Sequence, residues 1–320
     1  MLVSIIIRTL NEEKYLGELF DKIHQQDKSV FDIETVVVDS GSTDQTLHIA
    51  RENGAELVYI TKDEFSFGRS LNIGCEQARG DILVFISGHC VPVNDQWINT
   101  LCTPIKNSDV CYSYGKQIGR DTTKFSESRV FLKYFPNESA IPQAGFFCNN
   151  ANAAIRRSNW EGAHFDEDLT GLEDMHTAKR LFEAGEKIGY CADAPVYHIH
   201  NEGWKQIRRR YEREAIALRH IHPEIHMTHR DFVWCFLSSV TSDLIAATQQ
   251  RKLLRETSGI FAFRLHQFWG SYRGNHLIRA ISKESKKKYF YPSRPINNKS
   301  AGSNDKSYSV NAIEGEQHTS

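Results

Sequence analysis

Two polar groups in this sequence directly follow short apolar segments of the kind that form buried strands. The first, Asp39-Ser-Gly-Ser-Thr-Asp44, follows an apolar run at 33–38, and the second, Ser87-Gly-His-Cys90, follows one at 82–86. A carboxylate fixed at the carboxyl end of a strand can accept hydrogen bonds from a base or a ribose hydroxyl, and a short glycine-containing turn lets a nucleotide approach the backbone. Taken alone, the first group is more often an ordinary strand–turn–helix connection, and His89 can be a hydrogen-bonded turn residue.

Two further groups carry carboxylates and imidazoles. Glu173 and Asp174 begin a segment with helical spacing, where a carboxylate next to a cleft can act as a general base on an attacking hydroxyl. The helix dipole alone also explains acids in a first turn. His198 and His200 stand two residues apart in an extended segment, so both rings point to the same side, as metal or phosphate ligands would need. Two surface histidines explain that spacing almost as well.

The elements that must position these groups alternate along the first half of the chain. Apolar runs predict strands at 2–8, 33–39, 57–60 and 82–87. Helical spacing predicts the helices between them, at 12–26, 43–53 and 70–78. This order predicts a parallel sheet with right-handed crossovers, which binds ligands beyond the carboxyl ends of its strands. The motifs GxGxxG and GxxxxGKS/T are absent from the sequence, which argues against a dinucleotide-binding fold and a P-loop.

The second half of the chain is less regular. The pattern predicts short strands at 110–115 and 151–156 and a polar loop at 125–143. It also predicts one clear helix at 173–184 and a last strand at 187–191. Beyond residue 198 the sequence becomes helical and basic. The last stretch, 297–320, has little apolar content and is predicted to be a disordered tail.

The composition is that of a globular protein. The chain has 320 residues, of which 40% are hydrophobic and 25% charged, which excludes a disordered or collagen-like chain. Seven cysteines at irregular spacings, without a CxxC pair, predict free thiols in a reducing compartment rather than disulfides or structural zinc. The N-terminus lacks the features of a secretory signal, and no run of about 18 apolar residues predicts a membrane span.

Charge is distributed unevenly along the chain. Residues 204–294 hold 18 Lys and Arg against 7 Asp and Glu, a balance of +11, whereas the rest of the chain has a balance of −12. Such a split indicates a polyanionic partner, and because no nucleic-acid-binding motif is present we expect an anionic membrane surface. The basic stretch 205–213, the lysines at 286–288 and the apolar stretch 232–247 would contact it. A buried core helix explains 232–247 about as well.

Taken in order, these groups resemble the family 2 glycosyltransferases, which have the GT-A fold, an α/β nucleotide-sugar-binding domain. The matching segments are Val3-Ser-Ile-Ile-Ile-Arg-Thr-Leu-Asn-Glu12, Val36-Val-Val-Asp-Ser-Gly-Ser-Thr-Asp44, Phe67-Gly-Arg-Ser-Leu-Asn-Ile-Gly74, Ala78-Arg-Gly-Asp-Ile-Leu-Val-Phe85, Gly171-Leu-Glu-Asp174 with Ala178-Lys-Arg-Leu181, and Val196-Tyr-His-Ile-His200. The bacterial rhamnosyltransferase-type branch is the one that residues 67–72, the strand at 82–86 and residues 196–200 with Arg210-Tyr211 look most like. The resemblance implies a mainly parallel central sheet in a GT-A domain at 1–203, followed by a helical basic region at 204–296.

The resemblance also implies a role for each matching residue. Asp39 would bind the nucleoside, and the segment with Thr9, Asn11 and Glu12 would line the base pocket. Arg69 and Asn72 would approach the ribose and phosphates. Ser87 and His89 would also bind the nucleotide-sugar. Asp174 would deprotonate the acceptor hydroxyl, with Glu173 beside it, in an in-line displacement that inverts the anomeric carbon.

One departure from the family pattern concerns the metal. The family usually has a D-x-D-like motif for Mg²⁺ or Mn²⁺ where this chain has Ser87-Gly-His-Cys90, and imidazole suits Mg²⁺ poorly. Either His89 joins His198 or His200 on a softer divalent cation, or the enzyme works without one. Without a cation, Arg69, the histidines and backbone N–H groups would have to neutralise the leaving diphosphate.

These features predict an inverting glycosyltransferase that moves a sugar, with a hint of a deoxyhexose, from a nucleotide-sugar to a hydroxyl of a bacterial capsule or O-antigen. The acceptor would be lipid-linked and the enzyme cytoplasmic, peripheral on the inner face of the plasma membrane, without a nucleic-acid partner. Homo-oligomerisation stays open. The alternatives are a catalytically impaired nucleotide-sugar-binding protein and a nucleotidyltransferase.

Overall fold

The computed structural model describes residues 1–277. The predicted tail at 297–320 and the lysines at 286–288 lie outside those residues. The described strands are β1 (Leu2–Thr9), β2 (Asp32–Asp39), β3 (Glu56–Tyr59), β4 (Ile82–Ser87), β5 (Cys90–Pro92), β6 (Tyr112–Ile118), β7 (Asn152–Arg156) and β8 (Ile188–His198). The described helices are α1 (Glu13–His24), α2 (Thr46–Glu52), α3 (Phe67–Gln77), α4 (Trp97–Lys106), α5 (Phe125–Tyr134), α6 (Arg157–Gly162), α7 (Glu173–Glu183), α8 (Trp204–Ile221), α9 (His229–Gln249) and α10 (Leu253–His276).

All eight strands join one sheet in the order β3-β2-β1-β4-β7-β6-β8-β5. The four strands from β3 to β4 are parallel, as their alternation with helices predicts. β7 runs antiparallel to both β4 and β6, and β5 runs antiparallel to β8, so the sheet is mixed in its second half. The parallel half carries crossover helices, which is why its strands are apolar on both faces.

The core has two layers, one on each face of the sheet. Along β1, Ile5 and Ile7 point into the cluster that contains α1 and α4, whereas Ile6 points into the cluster that contains α3 and α7. This alternation follows from the two-residue repeat of a strand. All seven cysteines are free, and six of them are buried in these layers.

The register of the parallel strands brings the predicted polar groups to one edge. Thr9 at the end of β1 lies opposite Asp39 at the end of β2, and Arg8 lies opposite Ser87 at the end of β4. The carboxyl ends of three neighbouring strands therefore meet, and the loops that follow them share one region of the surface.

The prediction of a polar loop over 125–143 is wrong for its first ten residues, which form α5. Phe131 packs inward, and Ser126 and Glu127 are buried although they are polar. Their partners come from α8, α10 and the segment after β8, so tertiary contacts stabilise a helix that the local pattern does not indicate.

The described part of the C-terminal region is helical, as predicted. α10 packs closely on α8, because Gly270 and Gly274 present no side chain there: a Cβ would stand 2.4 Å from the carbonyl oxygen of Arg208 and 2.2 Å from that of Glu212. α9 and α10 form an antiparallel hairpin. Across residues 1–277, none of the helices has both the length and the apolar character needed to cross a bilayer.

Candidate active site

The loop after β2 is organised by Asp39. Its buried carboxylate accepts hydrogen bonds from Thr9 Oγ1 at 3.1 Å and from the backbone N–H groups of Gly41 and Ser42 at 2.9 Å, and Ser42 Oγ donates to it as well. Gly41 has a φ of 95°, in the left-handed region that glycine adopts without strain. The predicted contact between Asp39 and a nucleoside would thus be made by a carboxylate that already shapes the loop.

The loop after β1 is tied to the loop after β2. Asn11, at a φ of 58°, donates its N–H to Ser42 Oγ at 2.8 Å and accepts at Oδ1 from the N–H of Thr43 at 2.8 Å. Glu12 donates its N–H to Thr46 Oγ1, which leaves its carboxylate to point across to the loop after β4. There it lies 2.9 Å from Nδ1 of His89.

Three imidazoles meet beside this loop. Cys90 pairs with His198 between β5 and β8, which places His89 next to the end of β8. The ring centroids of His89 and His198 are 5.3 Å apart, and those of His198 and His200 are 4.0 Å apart. Each ring offers a nitrogen, and these nitrogens all lie within 4.8 Å of one another. The structure therefore brings together the three histidines that the sequence nominated as metal ligands.

Each of the three rings has an oxygen partner at Nδ1. His89 Nδ1 lies 2.9 Å from Glu12, His198 Nδ1 lies 2.6 Å from Gln117 Oε1, and His200 Nδ1 lies 2.8 Å from Glu127 Oε1. An acceptor at Nδ1 fixes the N–H on that atom and the orientation of the ring. Nε2 is then the atom that can offer its lone pair to a cation.

The protonation of the rings is set by their surroundings. Burial, followed by the neighbouring rings of His200 and His89, lowers the pKa of His198 far below its usual value. Burial and then Arg210 lower the pKa of His200. Burial alone would lower the pKa of His89, but the carboxylate of Glu12 outweighs it and the pKa is raised. Two of the three rings are thus held in the neutral form that binds metals.

The donor set fits a divalent transition metal better than Mg²⁺. Imidazole nitrogens suit first-row transition metals such as Fe²⁺ and Zn²⁺ and can also bind Mn²⁺, whereas Mg²⁺ prefers carboxylate and water oxygens. Glu127, His200 and Glu202 form a second group whose ligand atoms lie within 4.8 Å of one another. Of the two cations expected from the resemblance, the residues present therefore favour Mn²⁺.

Glu173 and Asp174 occupy the N-terminal turn of α7. The residue before them, Leu172, has a φ of 58°, a conformation that a leucine rarely adopts and that often marks a functional site. Glu173 Oε1 accepts from Arg8 Nη1 at 3.1 Å, which ties α7 to the end of β1. The acid pair thereby lies at the same edge of the sheet as the loops of Asp39 and His89.

Asp174 is buried and accepts the N–H groups of Asn150 and Met175 at 2.7 Å each. Burial and then the negative charge of Glu173 raise the pKa of Asp174 to about 7, against the effect of those hydrogen bonds. A carboxyl group with that pKa holds and releases a proton near neutral pH, which is the property that a general base requires.

Arg69 and Asn72 contact the segment between α6 and α7. Arg69 pairs with Glu167 at 3.3 Å, and Asn72 Nδ2 donates to Phe165 O and to Glu167. Asn72 Oδ1 accepts from Trp160 Nε1 and from the N–H of Phe165. Because all four hydrogen-bonding positions of the Asn72 amide are used in this way, its side chain fixes the segment after α6, and its contact with a donor stays a prediction.

The sequence reasoning missed several residues of this site. Arg8 was detectable, because a charged residue inside an apolar strand requires a partner. Glu127 was not, since it lies in the stretch interpreted as a loop; here it accepts from His200 and, at 2.6 Å, from Arg210. Burial alone would raise the pKa of Glu127, but His200 and Arg210 hold it at about 2, so Glu127 is ionised.

Comparison with known proteins agrees with this fold. Residues 4–162 match the sequence model described as "Glycosyl transferase family 2". The chain is 26% identical over 223 residues to the O-antigen chain rhamnosyltransferase RfbN of Salmonella typhimurium, covering 66% of this chain and 70% of that protein. It is 29% identical over 189 residues to the O-antigen chain rhamnosyltransferase WbaN of Salmonella anatum, covering 56% of this chain and 60% of that protein.

A solved structure shows the same architecture. The mannosyltransferase PcManGT of Pyrobaculum calidifontis, determined with GDP-Man and Mn²⁺, superposes with a TM-score of 0.58 at 19% identity, over 91% of this chain and 88% of that one. The fold and the family match thus define a glycosyltransferase of the GT-A class. Within that class, the chain carries a family 2 domain, and the resemblance seen in its motifs is confirmed.

Proposed function

We propose that this enzyme transfers a sugar, with inversion, from a nucleotide-sugar to a hydroxyl of a growing bacterial surface polysaccharide. The observation that carries the proposal is the buried pair of Glu173 and Asp174, held by Arg8 against the strand ends where a donor would bind. The O-antigen chain rhamnosyltransferases similar to this chain support O-antigen as the polysaccharide and a deoxyhexose as the sugar. A capsule polysaccharide remains the second candidate.

In the proposed mechanism Asp174 is the base. Its carboxylate takes the proton of the acceptor hydroxyl while the hydroxyl oxygen bonds to the anomeric carbon, and the bond from that carbon to the diphosphate oxygen breaks on the opposite side. A single displacement of this kind inverts the anomeric configuration and needs one base. Glu173 contributes negative charge beside Asp174, which favours uptake of the proton.

The leaving diphosphate requires positive charge at the same edge of the sheet. Arg8 lies there on β1, and His89, His198 and His200 would hold Mn²⁺ with Glu12, Gln117 and Glu127 orienting the rings. A cation bound there would supply charge that stabilises the diphosphate. Thr9, Asn11 and Asp39 in the first two loops would bind the nucleoside.

The acceptor would be lipid-linked, with the enzyme peripheral on the cytoplasmic face of the plasma membrane. The basic balance of residues 204–294 supports this location, because a lipid-linked acceptor presents its sugar close to the anionic leaflet.

Incubation of the purified chain with a panel of nucleoside-diphosphate hexoses and deoxyhexoses, with a saccharide acceptor and Mn²⁺, tests the proposal. We expect release of nucleoside diphosphate with one donor class and a product whose anomeric configuration, by NMR, is opposite to that of the donor. Retained configuration contradicts the inverting mechanism. Binding without turnover would identify the catalytically impaired protein, and release of pyrophosphate from a nucleoside triphosphate would identify a nucleotidyltransferase.

A further inference from the structure

The hairpin of α9 and α10 has an outer face without charge. Residues 232–250 contain one Asp, Glu, Lys or Arg residue, Asp243, and residues 257–272 contain one, Arg264. Both are buried and bind each other, with Nε to Oδ2 at 2.7 Å and Nη2 to Oδ1 at 3.0 Å. The only charged side chains of these two spans are therefore buried where α9 and α10 meet each other and α5.

The outer face instead carries large apolar side chains. Trp234 is 73% exposed on α9, and Leu254 is 98% exposed at the start of α10. Further exposed apolar residues of the hairpin are Val233, Leu237, Ile245, Phe261, Leu265 and Trp269. Phe232 and Phe236 lie on the side of α9 that faces α10, where they contact Trp269 and Phe261. Large exposed apolar side chains grouped on one hairpin mark an interaction site.

The tip of the hairpin is basic. At the tip of the hairpin, Arg251, Lys252 and Arg255 are exposed around Leu254, and at the base Arg230 and Arg273 are exposed. Three acids accompany them: Glu256 pairs with Arg255 at 3.3 Å, Glu212 lies 3.5 Å from Arg273, and Asp231 caps α9 through Thr228. At the tip, three cations against one acid leave an excess of positive charge, whereas Arg230 and Arg273 at the base are matched by Asp231 and Glu212.

The basic helix that the sequence suggested for a membrane contributes less. Within 205–213, Arg210 binds Glu127 and Glu202, and Arg213 lies over the ring of Phe67 at 4.5 Å. These two guanidinium groups face the protein, so α8 lacks the dense outward basic face that its sequence indicates. Within the described residues, the tip of the α9–α10 hairpin, rather than α8, is therefore the surface that is both basic and apolar.

We infer that the outer face of the α9–α10 hairpin docks on an anionic lipid bilayer, with Leu254 inserted among the headgroups and the basic side chains of the tip on the lipid phosphates. The inference rests on the proposed function for its purpose, since it would hold the enzyme beside a lipid-linked acceptor. Exposed apolar residues flanked by Lys and Arg match the interface of an anionic bilayer, where Trp is also favoured.

A second copy of the chain fits this face less well. Two copies paired tip to tip by a two-fold axis would bring their exposed cations together. Juxtaposed like charges oppose such pairing, whereas an anionic surface complements the basic tip.

Flotation of the full chain with vesicles tests the inference. We expect binding to mixed phosphatidylcholine–phosphatidylglycerol vesicles that fades with salt, and no binding to phosphatidylcholine alone. Replacing all three tip cations by glutamine should weaken binding about 100-fold at low salt, since each cation near an anionic surface contributes roughly a factor of five. Leu254→Glu should weaken it similarly. The matched control is Tyr59→Glu on β3, where Tyr59 is 58% exposed and far in sequence from the hairpin.

Release of nucleoside diphosphate with a soluble acceptor, and thermal melting, are measured for every variant. Loss of vesicle binding with unchanged turnover supports docking separately from the chemistry, and an inactive wild type that still floats would contradict the proposed function alone. If Leu254→Glu fails to fold, the glutamine variant carries the test. Wild-type protein that stays unbound at low salt overturns the inference. So does a wild-type dimer, by light scattering, that Leu254→Glu converts to a monomer.

Discussion

Asp174 combines burial, two short backbone hydrogen bonds and a charged neighbour, and these features predict the effect of its replacement. Asp174→Asn preserves the shape of the side chain and removes the base, so we expect turnover to fall by roughly two to four orders of magnitude. Donor binding, measured by calorimetry, should stay within a few-fold of the wild type. Near-normal turnover in this variant would remove Asp174 from the mechanism.

The raised pKa of Asp174 also predicts a pH dependence. Only the deprotonated carboxylate accepts a proton, so kcat/KM should rise with pH up to about 7 and level off above it. Glu173→Gln removes the neighbouring negative charge, and the acidic limb should then move to lower pH. A limb that stays at the same pH in Glu173→Gln would mean that another group controls the profile.

The three imidazoles predict a specific loss of metal affinity. His198→Ala removes a ligand, and Glu127→Gln removes the carboxylate that orients His200, a change that typically costs 10- to 100-fold in affinity. Mn²⁺ binding is measured by electron paramagnetic resonance, with His48→Ala, an exposed histidine on α2, as the control. Full activity in excess EDTA together with unchanged Mn²⁺ binding in both variants would exclude the histidine metal site.

At the scale of elements, the pair of Asp243 and Arg264 connects the C-terminal hairpin to α5. Arg264 binds Asp243 through two nitrogens and reaches Ser126 O on α5 at 3.4 Å. Asp243→Ala leaves a buried, unpaired guanidinium, and we expect the free energy of unfolding to fall by about 3–5 kcal/mol in urea denaturation. Asp243→Leu with Arg264→Met should recover most of that loss. A change below about 1 kcal/mol in Asp243→Ala would show that water or Gln267 compensates Arg264.

α5 links the buried pair of Asp243 and Arg264 to the candidate active site. Ser126 faces Arg264, and the next residue, Glu127, faces His200 and Arg210. The position of one metal-orienting carboxylate thus depends on a helix that is braced from the C-terminal region. We therefore expect the α9–α10 hairpin to stabilise the position of α5 beside the candidate active site, in addition to its proposed contact with lipid.

For the whole molecule, ligand binding should raise thermal stability. The loops after β1, β2 and β4 are joined by hydrogen bonds between residues 30 or more positions apart, and a nucleoside diphosphate that binds all three stabilises only the folded chain. At 100 times its Kd a ligand adds about 2.7 kcal/mol, which raises Tm by several degrees in a chain of this size. Differential scanning fluorimetry checks this with and without Mn²⁺, and the absence of a shift with every nucleoside diphosphate would contradict donor binding at these loops.

The sequence by itself determined the elements whose signals are local. The apolar runs of β1, β2 and β4, the helical spacing of α7 and the turn after Asp39 were readable because strand periodicity, helix periodicity and turn chemistry depend on neighbouring residues. The order of these motifs also indicated the family. Glu173 and Asp174 were found for the same reason, since they begin a helix that the pattern defines.

Only the tertiary structure decided which groups face each other. The partners of His89, His198 and His200 lie 77, 81 and 73 residues away, and Arg8 meets Glu173 across 165 residues. No local pattern encodes such pairs, because they form when the sheet register and the packing of α5 bring distant segments together. The same holds for Asp243, which the sequence showed only as a charge in an apolar stretch. Its burial against Arg264 is a property of the packed hairpin, and so is the charge-free face that this burial leaves outside.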